Sequence, residues 1–262
     1  MTKPLWHIQE GDSIPIVGVA IHHGHAVRDE VRQAFALDEA TRLREEDPYT
    51  GHWAQVAETW VIANRSRFEV DLNRPRERAV YRTPDDAWGL QVWQSPPSEA
   101  MIARSLAIYD DFYANIETLF KRMERRFGRF VVLDIHSYCH RRDGPDAPPA
   151  DPQANPAINL GTGTLDRTFW SPVIETFLRD MGKSEGAGQP LDVRENVKFR
   201  GGYFATWSHT TFPQTACVLS IEFKKFFMDE WSGEPDMERI ESIKQALQAT
   251  LPGLLEGLRC VQ

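Results

Sequence analysis

The chain has 262 residues, and its 30 Lys and Arg against 38 Asp and Glu give a formal charge of −8, which argues against binding to a nucleic-acid backbone. Cys139, Cys217 and Cys260 have no CxxC spacing, so neither a disulfide framework nor a thiolate zinc knuckle is expected. No apolar signal region and no run of roughly 18 apolar residues is present, which predicts a cytoplasmic protein that does not enter a membrane. The length suits one α/β domain, expected to span residues 1–262.

The first half of the chain alternates between strand and helix patterns. An apolar run predicts a buried strand at Ile14–Ile21. Helical spacing follows over residues 26–47, and Pro48 ends it. Residues 67–75, RFEVDLNRP, are predicted to form a short strand that Pro75 closes.

The second half continues the alternation. Ser98 is placed to cap a long helix that Gly128 ends, and VVLDIHSY then predicts a strand from Val131. The Pro- and Asp-rich loop 141–156 is either a lid over a site or a mobile loop. A helix at Arg167–Met181, a strand at 216–223 and a helix at Met237–Leu258 complete an α/β sandwich with a largely parallel sheet.

Three of these strands finish in polar residues: AIHHGH, LDIHSY and SIEFKK. Ligands of open α/β sheets bind at the carboxyl ends of the strands. We therefore expect the functional site at this edge.

Histidines are concentrated at two of the three strand ends. His22, His23 and His25 form a turn that can converge on a metal ion, although a surface histidine turn would look the same. Asp134 and His136 share one face of their strand, so one can bind a metal while the other orients a neighbour. A purely structural Asp–His pair is the alternative.

Two further groups have the chemistry of an active site. Glu222 follows an apolar strand, and a partly desolvated carboxylate there can serve as a general base, or else pair with a nearby lysine. Asn73 and Arg74 can clamp a carboxylate, since Arg presents a planar fork of donors, or they belong to a solvated face.

Together these stretches resemble the N-formylglutamate amidohydrolase family, and more distantly the zinc carboxypeptidases that share its fold. The similar blocks occur in the family's order: SRFEVDLNRPRERAVY, LDIHSY, NLGTGT, FRGGYFATW and SIEFKKFFMDE. The resemblance implies a three-layer α/β sandwich with a mixed, largely parallel sheet, of the zinc carboxypeptidase or phosphorylase/hydrolase-like type.

The resemblance also implies roles for individual residues. His22 and His136 would hold Zn²⁺, and Glu222 would be the general base and acid. Asn73 and Arg74 would hold a substrate carboxylate, with Arg200 as a second candidate.

The third metal ligand is where this sequence departs from the pattern. Zinc carboxypeptidases have a Glu three positions after the first His, and that position here is His25. The preferred third ligand is therefore His25, with Glu46 or Asp47 in the acidic cluster as alternatives.

The function implied is a zinc-dependent amidohydrolase that cleaves the amide bond of an N-acyl amino acid such as N-formyl-L-glutamate. A zinc carboxypeptidase or desuccinylase-like hydrolase, acting on short peptides or related substrates, is the first alternative. A non-catalytic carboxylate-binding protein is the second. In each case the expected partner is a small molecule, not a nucleic acid or a membrane.

Overall fold

The apolar runs lie at the centre of a seven-stranded sheet in the computed structural model, which describes residues 4–186 and 189–262. The strands of these residues are β1 (Trp6–Gln9), β2 (Ile16–Ala20), β3 (Thr59–Ala63), β4 (Phe130–Tyr138), β5 (Ile158–Gly161), β6 (Glu185–Gly186), β7 (Gln189–Pro190), β8 (Val193–Glu195) and β9 (Ala216–Lys224). The α-helices are α1 (Asp29–Ala34), α2 (Glu39–Glu45), α3 (Thr50–Ala54), α4 (Glu99–Phe127), α5 (Ser171–Gly182), α6 (Tyr203–Thr211) and α7 (Met237–Cys260).

The sheet is mixed and largely parallel. Its order is β1–β3–β2–β4–β9–β5–β8, while β6 pairs separately with β7. Strands β3, β2, β4 and β9 run parallel to one another, as do β5 and β8. The β1–β3 and β9–β5 pairs are antiparallel. The predicted fold class is confirmed.

Helices cover both faces of this sheet and produce the three layers. One apolar core joins the sheet to α3, α5 and α7, through residues such as Trp53, Phe177 and Leu247. The other joins the opposite face to α4 and α6, through residues such as Phe112 and Phe204.

On the face under α4 and α6, β4 and β9 change from apolar to polar along their length. Their first inward residues are Phe130, Val132, Ala216 and Val218. Because strand side chains alternate between faces, the next positions on this face are Asp134, His136, Ser220 and Glu222. The carboxyl half of this face is therefore a polar floor instead of core.

The long helix is confirmed at both ends. The Ser98 side chain accepts a hydrogen bond from the Met101 amide (3.2 Å), and α4 ends at Gly128, which has φ +74°. A left-handed residue at this position favours glycine.

Two predicted elements were wrong. The helix at residues 26–47 is two short helices, because Phe35 is extended and pairs with Trp93, and Asp38 then caps α2. Residues 67–75 form turns, not a strand. The Ser66 carbonyl accepts from the Glu69 amide (3.0 Å), and its hydroxyl accepts from the Phe68 amide (3.2 Å). Such local side-chain bonds compete with a strand ladder.

The part of the chain that the structure describes contains no helix with the length and apolar character needed to span a bilayer.

Candidate metal centre

Strands β2 and β4 bring the two predicted histidines together. His22 follows the end of β2, His136 lies within β4, and these strands are parallel neighbours. Both residues are buried, and their ring centroids are 5.0 Å apart. The sheet therefore places two imidazoles side by side at its carboxyl edge.

Asp47 supplies a carboxylate between the two rings. Its Oδ2 lies 3.1 Å from Nδ1 of His136 and 3.4 Å from Nδ1 of His22. The amide of Asp47 donates to the His22 carbonyl (3.0 Å), and the Ser137 hydroxyl donates to its Oδ1 (3.3 Å). One ligand atom from each of His22, Asp47 and His136 lies within 4.8 Å of the others, the only such group of His, Cys and acidic residues found in the described ranges.

Two buried carboxylates fix the other sides of the rings. Nε2 of His22 lies 2.7 Å from Asp71 Oδ1, and Nε2 of His136 lies 2.9 Å from Asp134 Oδ1. A carboxylate accepts hydrogen bonds, so each Nε2 donates its proton outward, and each Nδ1 lies on the side of Asp47, where its unprotonated form can bind a metal. This outer support is typical of metal-binding histidines.

The donor set fits a divalent cation. Nδ1 of His22 is buried and has no hydrogen-bond partner among the described residues. Burial raises the pKa of the Asp47 carboxyl, but its interactions with His136 and His22 outweigh that effect and hold it well below its ordinary value. Two imidazole nitrogens and one ionised carboxylate match the ligand types of catalytic zinc sites, which have three protein ligands.

His25, the preferred third ligand, lies outside this group. Its Nδ1 bonds to the Glu46 carboxylate, and its Nε2 lies 3.1 Å from Glu39 Oε1. Glu46 in turn accepts a hydrogen bond from the Ser66 hydroxyl. The two residues therefore bind each other and their neighbours, and of the three candidates only Asp47 faces His22 and His136.

Glu222 lies beside the metal-ligand candidates on the polar floor. It is the register partner of His136 in the β4–β9 pair. Its carboxylate makes no hydrogen bond or ion pair with the described residues, so neither Lys224 nor Lys225 neutralises it. Burial raises the pKa of the Glu222 carboxyl to about 7, with the charge of His136 opposing the shift and that of Asp47 adding to it. A carboxyl with such a pKa can accept and release a proton near neutrality.

Of the residues predicted to bind a substrate carboxylate, some line a cavity and one does not. A cavity of about 350 Å³ is lined by Glu222, Asn73 and Arg200, together with the metal-ligand candidates. Arg74 does not line it. Its guanidinium donates to the Asp86 carbonyl (2.7 Å) and lies 4.9 Å from the Tyr81 ring centroid.

Four cations that line this cavity, Arg67, Arg142, Lys198 and Lys225, were not predicted as site residues. Arg67 donates to Asp71 (3.1 Å) and to the Tyr81 hydroxyl (3.2 Å), and Tyr81 also donates to Asp71. Lys198 donates to Asn155 (2.7 Å) and, like Arg200 two positions later, lines the cavity and makes no ion pair with the described residues. Arg67 lies six positions before Asn73 in the same sequence motif, and this position is the signal from which it could have been predicted as a site residue.

The sequence profile of the N-formylglutamate amidohydrolase family matches residues 14–227. The chain belongs to this family. The crystal structure of N-formylglutamate amidohydrolase from Ralstonia eutropha JMP134 is 18% identical, with a TM-score of 0.70 and 96% of each chain covered. The crystal structure of gene product Atu2144 from Agrobacterium tumefaciens is 17% identical, with a TM-score of 0.67 and coverage of 96% of this chain and 95% of that one. No curated protein matches the sequence significantly.

Membership of the amidohydrolase family supports an enzyme that hydrolyses C–N bonds. The two structural neighbours share the fold of the protein over nearly the whole chain. The predicted family is therefore confirmed.

Proposed function

We propose that the protein is a zinc-dependent amidohydrolase that cleaves the amide bond of an N-acyl amino acid such as N-formyl-L-glutamate. The observation that carries the proposal is the convergence of two Nδ1 atoms and one buried carboxylate beside Glu222, which makes no ion pair with the described residues. His22, His136 and Asp47 would hold the metal, with Asp47 replacing His25 as the third ligand.

Zinc in such a site lowers the pKa of a bound water and polarises a carbonyl oxygen. The remaining chemistry belongs to the chain. Glu222, with its raised pKa, would take a proton from the attacking water and return it to the departing amide nitrogen. Its lack of an ion-pair partner keeps it free for this transfer.

Three residues of the cavity would position the substrate. The Arg67 guanidinium, held in place by Asp71 and Tyr81, offers donors to the oxygen that becomes negative during attack. Asn73 and Arg200 would bind the substrate carboxylate, since both line the cavity and Arg200 has no acidic partner among the described residues. Arg74, already bonded to Asp86 and packed on Tyr81, would support the motif from outside.

The test combines metal analysis with hydrolysis of N-formyl-L-glutamate. We expect about one zinc per chain, and activity that a chelator removes and zinc restores. The Glu222→Gln variant should keep its zinc and lose activity by about 10²- to 10⁴-fold, the usual contribution of a general base. The matched control is Glu234→Gln, which changes an exposed acid outside the cavity.

Near wild-type turnover by Glu222→Gln would refute the assigned base. A zinc-free protein that binds the substrate without cleaving it would instead support the non-catalytic alternative. Cleavage confined to dipeptides would support the carboxypeptidase alternative.

A further inference from the structure

Trp88 is a large apolar side chain left open to solvent at the candidate active site. It is 48% exposed, whereas Trp53 and Trp93 are 0% and 4% exposed. Trp88 lines the same cavity as His22, His136 and Glu222. Isolated exposed apolar residues are common on protein surfaces, but a concave site with convergent polar groups is where ligands bind.

The residue that bears this indole lies in a hydrogen-bonded turn and has an uncommon backbone conformation. Trp88 has φ +54°, a left-handed conformation that residues with a side chain rarely adopt. The preceding turn is closed by reciprocal bonds between Thr83 and Asp86, and the Gly89 amide donates to the Pro84 carbonyl (2.8 Å). The ring is therefore presented by a rigid turn, and unusual backbone conformations of this kind concentrate at ligand sites.

Two guanidinium groups adjoin the indole. Cζ of Arg67 lies 4.8 Å from its ring centroid, and Cζ of Arg142 lies 6.0 Å from it. Arg142 is itself held by two bonds to the buried Glu45 (2.8 and 3.2 Å). Indole and guanidinium planes both stack on flat π systems, so this wall suits an aromatic group.

The same cavity has cations that suit an anionic group on the ligand. Lys198 and Arg200 line the cavity and make no ion pair in the portion that the structure describes. A ligand that satisfied both features would carry a carboxylate and a flat apolar ring.

Resting on the proposed function, we propose that Trp88 forms a subsite for an aryl group, so that an N-acyl amino acid bearing an aromatic ring is cleaved in preference to its aliphatic counterpart. The ring belongs either to the amino acid or to the acyl group. Arg67 links this subsite to the reacting centre, because it touches Trp88 and also bonds to Asp71, the partner of His22. Trp88 thus acts as a specificity residue.

Two matched substrate pairs test the proposal with zinc-loaded enzyme. N-formyl-L-phenylalanine against N-formyl-L-alanine places the ring on the amino acid, and N-benzoyl-L-alanine against N-acetyl-L-alanine places it on the acyl group. In one pair, we expect kcat/KM of the wild type to favour the aryl substrate by about tenfold. Trp88→Ala should abolish that preference and Trp88→Phe should retain most of it. Met237→Ala, which changes an exposed apolar residue outside the cavity, should leave it unaltered.

Absence of a preference for the aryl substrate in both pairs would overturn the subsite. An equal loss of kcat/KM for both members of a pair in Trp88→Ala would also overturn it, because that result would show that Trp88 only supports Arg67. If no substrate is hydrolysed, the proposed function fails but the subsite is still decided by calorimetry. Tighter binding of the aryl member of a pair to wild type than to Trp88→Ala would support it, and equal binding would refute it.

Discussion

At the scale of single residues, the acidic cluster at the end of α2 shows how neighbouring carboxylates acquire different roles. Glu46 forms hydrogen bonds with His25 and Ser66, while Asp47 faces His22 and His136. The two acids are adjacent in the chain but bond to different parts of the protein.

Zinc affinity distinguishes these roles. We expect Asp47→Asn to weaken zinc binding by more than about 100-fold, since groups that merely orient a ligand are worth about 10- to 100-fold. His25→Gln, which removes a histidine with carboxylate and arginine partners, should change the affinity by less than about threefold. Competition with a chromophoric chelator measures both. A stronger effect of His25→Gln than of Asp47→Asn would restore His25 as the third ligand.

Sequence patterns point to those candidate site residues that carry a local signal. His22, His136 and Glu222 each follow or end an apolar run, so the pattern of apolar and polar residues alone places each of them at the edge of the sheet. The choice between His25 and Asp47 depends on which side chain folds back across the sheet edge. Arg74 was predicted as a site residue and Arg67 was not, because only tertiary packing shows which of them lines the cavity.

At the scale of secondary-structure elements, the contact between β2 and α3 brings Asp47 to the strand end. Gly18 in β2 permits this contact, because a Cβ there would lie 2.0 Å from the carbonyl oxygen of Ala54 in α3. Two atoms cannot approach so closely, so β2 and α3 would have to move apart. The segment that carries Asp47 directly precedes α3, so any separation would displace the carboxylate.

Gly18→Ala is therefore expected to lower the free energy of unfolding by at least about 2 kcal/mol, the usual scale of overpacking, and to weaken zinc binding. Gly182→Ala is the matched control, since nothing lies within 4 Å of its added Cβ. Urea denaturation measures stability, and zinc titration measures the site. Equal stability of the two variants would show that α3 can move away from β2 without cost.

The elements that were predicted well carry strong local signals, and the others do not. Helix α4 has a cap, a long apolar periodicity and a terminal glycine. Short elements such as β3, β5 and α3 were not predicted, and residues 26–47 were assigned to one helix. These boundaries depend on contacts distant in sequence, such as the pairing of Phe35 with Trp93.

At the scale of the whole molecule, a partly buried histidine makes stability depend on pH. His209 on α6 accepts a hydrogen bond from the Val218 amide in β9 (3.0 Å) and bonds to Thr164 (3.0 Å). Burial lowers the pKa of His209 to about 4, against an ordinary value of 6.5. Between these values the unfolded chain binds a proton that the folded protein does not, so stability rises with pH through this window and levels off above it.

We expect His209 to account for a loss of about 3 kcal/mol in unfolding free energy as the pH falls from 6.5 to 4. His209→Gln, which can still accept a hydrogen bond, should show a shallower decline over that range. His7→Gln, at an exposed histidine of β1, provides the control. Urea denaturation at several pH values gives the comparison, and parallel curves for wild type and His209→Gln would contradict the assignment.

The atoms that face one another in the candidate metal centre come from stretches that meet only once the central strands have paired; His136 and Asp47, for example, are separated by 89 positions. A chain that has not assembled its sheet offers no pocket for the ion, so binding of the ion would stabilise the native conformation alone. The supply of zinc in a cell would then govern how long each copy survives proteolysis as well as how fast it works. Scarcity of the metal would shorten the lifetime of the protein, and abundance would allow it to accumulate.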